Sequence, residues 1–182
     1  MNFDDIYGDF TLIDTPTLMI RKVTKNDAED MYSYASNNDV TKYVTWDTHK
    51  SIADTVEFIQ FVLGQYESNK LAPLAIEHKE TGRFIGTIDL FSWSQTHKSA
   101  EIGYVISPDY WGQGITTEAA KALIEFGFNE MELVRIQAKC FVENHASQRV
   151  MEKVGMSYEG TLRKSMFVKG KHQDLKMYAI VK

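Results

Sequence analysis

Between residues 102 and 120 a strand pattern passes into a helix pattern across a loop that carries two glycines, Gly112 and Gly114. The strand half, 101–106, reads Glu-Ile-Gly-Tyr-Val-Ile and stops at Ser107-Pro108, because proline cannot donate to a central ladder. The helix half, 116–130, repeats Ala119, Ala120, Leu123, Ile124, Gly127 and Phe128 at intervals of three and four. Without side chains at Gly112 and Gly114, the N–H groups of the loop lie open to a ligand. The first turn of a helix has N–H groups without intrahelical partners, at the positive end of its aligned peptide dipoles. The junction therefore predicts an anion site, and phosphate is its natural guest. A Walker loop is excluded because Gly-Lys-Ser/Thr is absent, and a dinucleotide fingerprint because Thr117 stands where its third glycine belongs. The third option is the diphosphate arm of coenzyme A.

The rest of the chain can be laid out around this junction. Residues 17–23 have a strand pattern, and Asn26 or Asp27 caps a helix running to about 36. The loop at 39–50 carries Tyr43 and Trp46, large for a connection and suited either to line a site or to cover the core beneath. Ser51 caps a second helix to about 65, with Ile52, Val56, Ile59, Phe61, Val62 and Leu63 expected on its buried side. Strands at 73–78 and 84–91 meet across Thr81-Gly82, and a polar turn at 94–98 leads into 101–106. Three strands in succession predict an antiparallel meander. Residues 135–142 alternate as a strand, and a helical crossover of this length makes it parallel to 101–106. Asn144 caps a helix over 145–154 that stops at Gly155, and two last strands near 158–167 and 174–181 join through Lys169-Gly170-Lys171.

Composition narrows the class. At 182 residues, 43% hydrophobic and 25% charged, the chain is predicted to form a single domain over 1–182 with its own core. The lone Cys140 can make no internal disulfide and points to a reducing compartment, so a cytoplasmic location is expected. No apolar run reaches membrane-helix length, and residues 1–9 carry acids where a secretion signal would carry basic residues. A net charge of −5 argues against nucleic acid as a partner. His49, His78, His97, His145 and His172 are scattered without metal-ligand spacing, so no metal is expected. Cys140 lies in a strand pattern with no activating neighbour in view, which makes it a core residue and not a nucleophile.

Three motifs, in order, resemble one family. They are Ala100-Glu101-Ile102-Gly103-Tyr104, the loop Trp111-Gly112-Gln113-Gly114-Ile115-Thr116, and Asn144-x-x-Ser147-x-Arg149-Val150-x-Glu152-Lys153-x-Gly155-Met156. They resemble the GCN5-related N-acetyltransferases (GNAT), and within them the RimJ/RimL-like branch that acetylates ribosomal-protein N-termini. The family loop reads Gln/Arg-x-x-Gly-x-Gly/Ala, from which Trp111 and Thr116 depart. The resemblance implies a mixed α/β (α+β) GNAT fold. Its sheet is mostly antiparallel, with about seven strands that splay between the fourth and fifth, and about four helices flank it. It also implies acetyl-CoA as cosubstrate, its pantetheine arm paired with the 102–106 edge. Ile102, Tyr104, Val105, Ile106, Gly112, Gln113, Gly114, Ile115, Thr116, Thr117, Asn144 and Ser147 are then the cofactor-binding residues. Trp46, His172 and Asp174 fall on the implied acceptor groove. Some ribosomal-protein acetylating members place a glutamate where Met166 stands here, so that base role does not carry over.

Acetyl transfer to an amine needs a neutral amine, a polarised thioester and a proton for the departing thiolate. Glu101 is a carboxylate in an apolar strand beside the loop and is the candidate base, its alternative being a surface glutamate on the polar side of that strand. Ser147 is the candidate acid at the sulfur and Asn144 the pantetheine ligand, although each would serve as well in closing the first turn of a helix. The acceptor is expected to be an amine, either a protein N-terminus or a small molecule such as an aminoglycoside, polyamine or amino acid. A non-catalytic acyl-CoA-binding regulator is the other class that the departures at Trp111, Thr116 and Met166 leave open. The protein is expected as a monomer or homodimer.

Overall fold

The computed structural model describes residues 13–182, so the acidic start at 1–9 lies outside the described residues. Within these residues eight strands form one sheet in the order β1-β2-β3-β4-β5-β6-β8-β7. They are β1 (Ile13–Asp14), β2 (Leu18–Lys22), β3 (Leu74–His78), β4 (Arg83–Ser94), β5 (Ser99–Ile106), β6 (Arg135–Phe141), β7 (Ser157–Val168) and β8 (Lys171–Val181). Among the described residues five α-helices accompany them: α1 (Ala28–Ala35), α2 (Asn38–Thr41), α3 (Ile52–Glu67), α4 (Ile115–Asn129) and α5 (His145–Lys153).

The expected mixed fold is present, with one strand and one helix more than the sequence pattern announces. Strand β1 is two residues long and exists by pairing Ile13 with Ile20 and Asp14 with Met19, too short to leave a periodicity. Helix α2 is a single turn inside the expected loop, started where Asn37 Oδ1 accepts a hydrogen bond from Asp39 N at 2.8 Å. The start of α3 is set at Ser51, and the Asp54 carboxylate accepts from the N–H of Lys50 (2.7 Å) and of Ser51 (3.0 Å).

Alternation along the strands sorts side chains onto two faces. On one face Leu18, Ile20, Leu74, Ile76, Ile88, Leu90, Ile102 and Ile136 pack with Ala119, Leu123 and Ile124 of α4 and Met151 of α5. On the other, Ala75 and Phe84 pack beneath Met31 and Tyr34 of α1 and Ile59 and Val62 of α3. The first turn of α4 is tied to the far side of the sheet. The Glu118 carboxylate accepts from Thr15 Oγ1 (2.7 Å), Thr17 N (2.9 Å) and Thr17 Oγ1 (2.9 Å), which holds it below the usual range against the burial that would raise it.

Every neighbouring pair in the sheet is antiparallel except β5 and β6. That parallel pair is short. It joins Ser99 to Arg135, Ala100 to Ile136 and Glu101 to Gln137, while β5 runs on to Ile106 and β6 to Phe141. From residue 102 the two strands part, as the expected splay requires.

Gly86 on β4 keeps the opposite side of β5 in place. A Cβ there would lie 2.3 Å from Val105 O and 2.9 Å from Ile106 Cα, both backbone atoms that cannot swing aside. Gly86→Ala should therefore cost about 3 kcal/mol or more in urea unfolding, at the upper end for overpacking. Gly64→Ala, inside α3 with nothing within 4 Å of the new methyl, should instead stabilise by up to about 1 kcal/mol.

Candidate active site

The splay of β5 from β6 opens a cleft of about 630 Å³. Its floor is Tyr104, Val105 and Ile106 of β5, one end is the Trp111, Gly112, Gly114, Thr116 and Thr117 loop and helix start, and its walls come from α2 and α5.

The loop is built by local bonds. A tight turn follows β5, with Tyr110 N donating to Ser107 O (3.0 Å) and Trp111 N to Pro108 O (3.1 Å). The indole N–H of Trp111 donates back to Ile106 O at 3.0 Å, so the departing tryptophan closes the end of β5. Gly112 and Gly114 have φ of 76° and 83°, and a Cβ on either would meet nothing within 4 Å. What demands glycine at both places is thus the left-handed backbone and not crowding. Gly114 is the residue before α4, and its carbonyl receives Glu118 N at 3.0 Å, so the free N–H groups of the first turn face the cleft end.

Nine of the expected ligand-binding residues line this cleft: Tyr104, Val105, Ile106, Gly112, Gly114, Thr116, Thr117, Asn144 and Ser147. Ile102 and Ile115 do not, since their side chains lie in the core at 4% and 6% exposure. The Gln113 side chain turns back to staple the loop, its Nε2 donating to Asp109 O at 2.8 Å. At the α5 end, Asn144 Oδ1 accepts from Ser147 N at 3.1 Å, so the oxygen serves as the helix cap and the amide N–H₂ is what remains for a ligand. Ser147 Oγ lies 2.9 Å from the Tyr104 hydroxyl, which also donates to Ser147 O at 3.3 Å. Burial pushes the Tyr104 hydroxyl well above the usual tyrosine range, so it stays protonated.

Sequence reading did not single out the charged rim. Lys42, Arg149 and Lys153 line the cleft against one acid, Asp39. In a chain of net charge −5 this local excess of cations suits a polyphosphate. Arg149 and Lys153 stand four apart on α5, one face of one helix, which is the signal that could have found them.

The acceptor candidates do not gather at the cleft. Trp46 packs against the α1–α3 core with its ring 5.3 Å from that of His49. His172 lies against Phe167 at 5.0 Å on the β7–β8 hairpin, and Asp174 Oδ1 accepts from Lys164 N at 2.7 Å there. Cys140 is buried, its thiol pushed up to about 11 by that burial, and no group of three or more His, Cys, Asp or Glu suited to a metal occurs among the described residues.

Glu101 is on the α1–α3 face of β5 and only 7% exposed. It pairs with Lys139 Nζ at 2.7 Å and accepts from Gln137 Nε2 at 3.2 Å. Across the ladder from Gly103 stands Asp89, absent from the sequence reading. Among the described residues its carboxylate has no hydrogen bond or ion pair, and burial, followed by the charge of Glu101, pushes it up to about 7.

Residues 17–157 match the family profile described as "Acetyltransferase (GNAT) domain". The chain is 35% identical to the uncharacterized N-acetyltransferase YoaA of Bacillus subtilis over 95% of this chain and 98% of that one. A solved GNAT-family acetyltransferase from Bacillus anthracis superposes with a TM-score of 0.84 at 34% identity, covering 94% of this chain and 98% of the other. The microcin C7 self-immunity acetyltransferase MccE, solved with acetyl-CoA and AMP, superposes with a TM-score of 0.83 at 25% identity over 92% and 94%.

The burial of Asp89 has a measurable cost. Its carboxyl binds a proton more tightly folded than unfolded, so the contribution of this one group to stability is full below about pH 4 and is lost as pH rises toward about 7. Asp89→Asn cannot ionise, and its urea-unfolding free energy should gain on the wild type by roughly 2 kcal/mol between about pH 5 and pH 8.

Proposed function

The chain belongs to the acetyltransferase (GNAT) family and is an N-acetyltransferase, and from that premise we propose that it binds acetyl-CoA in the β5–β6 cleft and passes the acetyl group directly to a primary amine. The observation that carries this reading is the parting of β5 from β6 next to a helix whose N-terminus is reached through two left-handed glycines.

In this reading the diphosphate sits on the N–H groups at 112–117, with Lys42, Arg149 and Lys153 placed to meet its phosphates. The pantetheine arm lies along the Tyr104 to Ile106 edge in place of the strand that β6 no longer supplies, with the Asn144 amide as a side contact. The thioester then ends beside Ser147 and the acceptor face of β5. The amine nitrogen attacks the thioester carbon, an N–C bond forms as the C–S bond breaks, and no enzyme-bound acetyl group is needed. Ser147, its Oγ held by the Tyr104 hydroxyl, hands a proton to the departing thiolate. Glu101 contributes negative charge on the face where the cationic amine arrives. We take a protein α-amino group as the first acceptor class, on the strength of the RimJ/RimL-like segments 100–104 and 144–156, with a small amine as the second. The lone Cys140 supports a reducing, cytosolic setting for the reaction.

Release of free thiol from acetyl-CoA, over peptides with free N-termini and small amines including spermidine, tests the reading. Turnover with a peptide supports the first class and with spermidine alone the second, whereas tight CoA binding without any turnover would make the protein a regulator. Gly114→Val forces a side chain into the left-handed region and should weaken CoA by about tenfold or more in calorimetry, through the strain that such backbone costs. Ser147→Ala should lower kcat by about 100-fold, the low end for a lost general acid, with CoA affinity nearly unchanged.

A further inference from the structure

Two carboxylates lie side by side on the acceptor face, and they are not equivalent. Thr87, Asp89 and Phe91 of β4 stand across from Val105, Gly103 and Glu101 of β5, on the side of the sheet that α1 and α3 cover. Gly103 has no side chain, and the place where its Cβ would be is filled from β4. Asp89 Oδ1 comes within 3.1 Å of it and Phe91 Cε1 within 3.0 Å. An acid oxygen therefore rests on the β5 backbone two residues from Val105, which lines the cleft. At about 3.3 Å per residue that is roughly 7 Å along the strand.

Glu101 is already committed. Lys139 and Gln137 both bind its Oε2. Asp89 has neither kind of partner among the described residues. The groups that face it are Glu101 from β5 and Tyr66 from α3, with Lys139 behind Glu101 and Lys22 5.7 Å from the centre of the Tyr66 ring. The Tyr66 hydroxyl donates to Pro73 O and accepts from Val23 N, and neither bond reaches Asp89. A carboxylate without a partner, beside a fixed negative charge, is the one that gains most from taking a proton.

We propose that Asp89, whose Oδ1 rests against Gly103 of β5, is the proton acceptor for the incoming amine, while Glu101, paired with Lys139, is the neighbouring acid that sets its readiness. This rests on the acetyl-transfer reading above. One proton passes from the ammonium to Asp89 and is later released to water. The freed amine attacks. The second proton leaves nitrogen as the C–S bond breaks and, by way of Ser147, ends on the sulfur of CoA. The carboxyl that burial lifts to about 7 is matched to this task at neutral pH, when it is partly ionised and takes up a proton readily.

The test compares amines that arrive protonated with one that does not. Spermidine and a peptide with an N-terminal serine are cations at neutral pH, whereas methoxyamine is already neutral. The wild type should lose kcat/KM below about pH 7 with the cationic acceptors. Asp89→Asn should lower that rate by about 100-fold, leave methoxyamine turnover within a few-fold of wild type, and leave CoA affinity in calorimetry unchanged. Asp89→Glu should restore part of the rate. Glu101→Gln removes the neighbouring charge and should move the acid limb to lower pH without abolishing it. An Asp89→Asn enzyme that keeps the acid limb and the rate would overturn the assignment, as would equal losses with methoxyamine, which mark a structural role. Wild-type protein that turns over none of the three amines would remove the acetyl-transfer reading itself and this inference with it.

Discussion

The interruption of one strand pairing organises the molecule. Strands β5 and β6 share three residue pairs and then diverge, each still held on its outer side, β5 by β4 through Gly86, Ile88 and Leu90, and β6 by β8 along its whole length. Backbone N–H and C=O groups from 102 onward on β5 are thereby left without a ladder partner on that edge. Such groups are costly to bury unpaired, so a sheet that opens in this way needs either water or a strand-like guest. An amide-bearing chain of strand length is such a guest. Everything else at the cleft serves to set its direction: the glycine turn and the α4 N-terminus at one end, Asn144 and Ser147 at the other.

Charge is divided between the two sides of the same strand. Lys42, Arg149 and Lys153 rim the cleft, whereas Glu101 and Asp89 lie on the face beneath α1 and α3. A chain that is acidic as a whole has thus gathered its local cations where phosphate would lie and two acids where an amine would come. The separation is a product of strand alternation, because Tyr104 faces Ser147 while its neighbours Glu101, Gly103 and Val105 face the other way. One strand can therefore serve two chemically opposite partners without mixing their surroundings.

Much of this was legible in the chain because it depends on local residue choice. The glycine turn, the strand before it and the amphipathic helix after it are neighbours in sequence, and their boundaries fall within a residue or two of where the pattern puts them. The physical reason for the glycines was not legible, since crowding and a left-handed backbone select the same residue, and only the dihedral angles separate them. Asp89 was hidden for a different reason. Its isolation arises from pairing with Gly103 fourteen positions away and from the commitment of Glu101 to a lysine on a third strand. His172 and Asp174 show the converse, for their residue types suit a site but the β7–β8 hairpin gives each another neighbour, Phe167 and the Lys164 backbone.

Glu118 is an acid in the first turn of a helix whose start faces the cleft, which on charge alone should repel a phosphate. Its oxygens are instead drawn toward the β1–β2 turn by two threonine hydroxyls and one N–H. The carboxylate is thus shielded, and the field at the loop is that of the peptide backbone. The same three bonds form a mechanical link from the glycine-loop end of the cleft to the outermost strands of the sheet, some hundred residues away in sequence. Strain at one would be felt at the other, and the edge of the sheet becomes a gauge of how firmly that end is held.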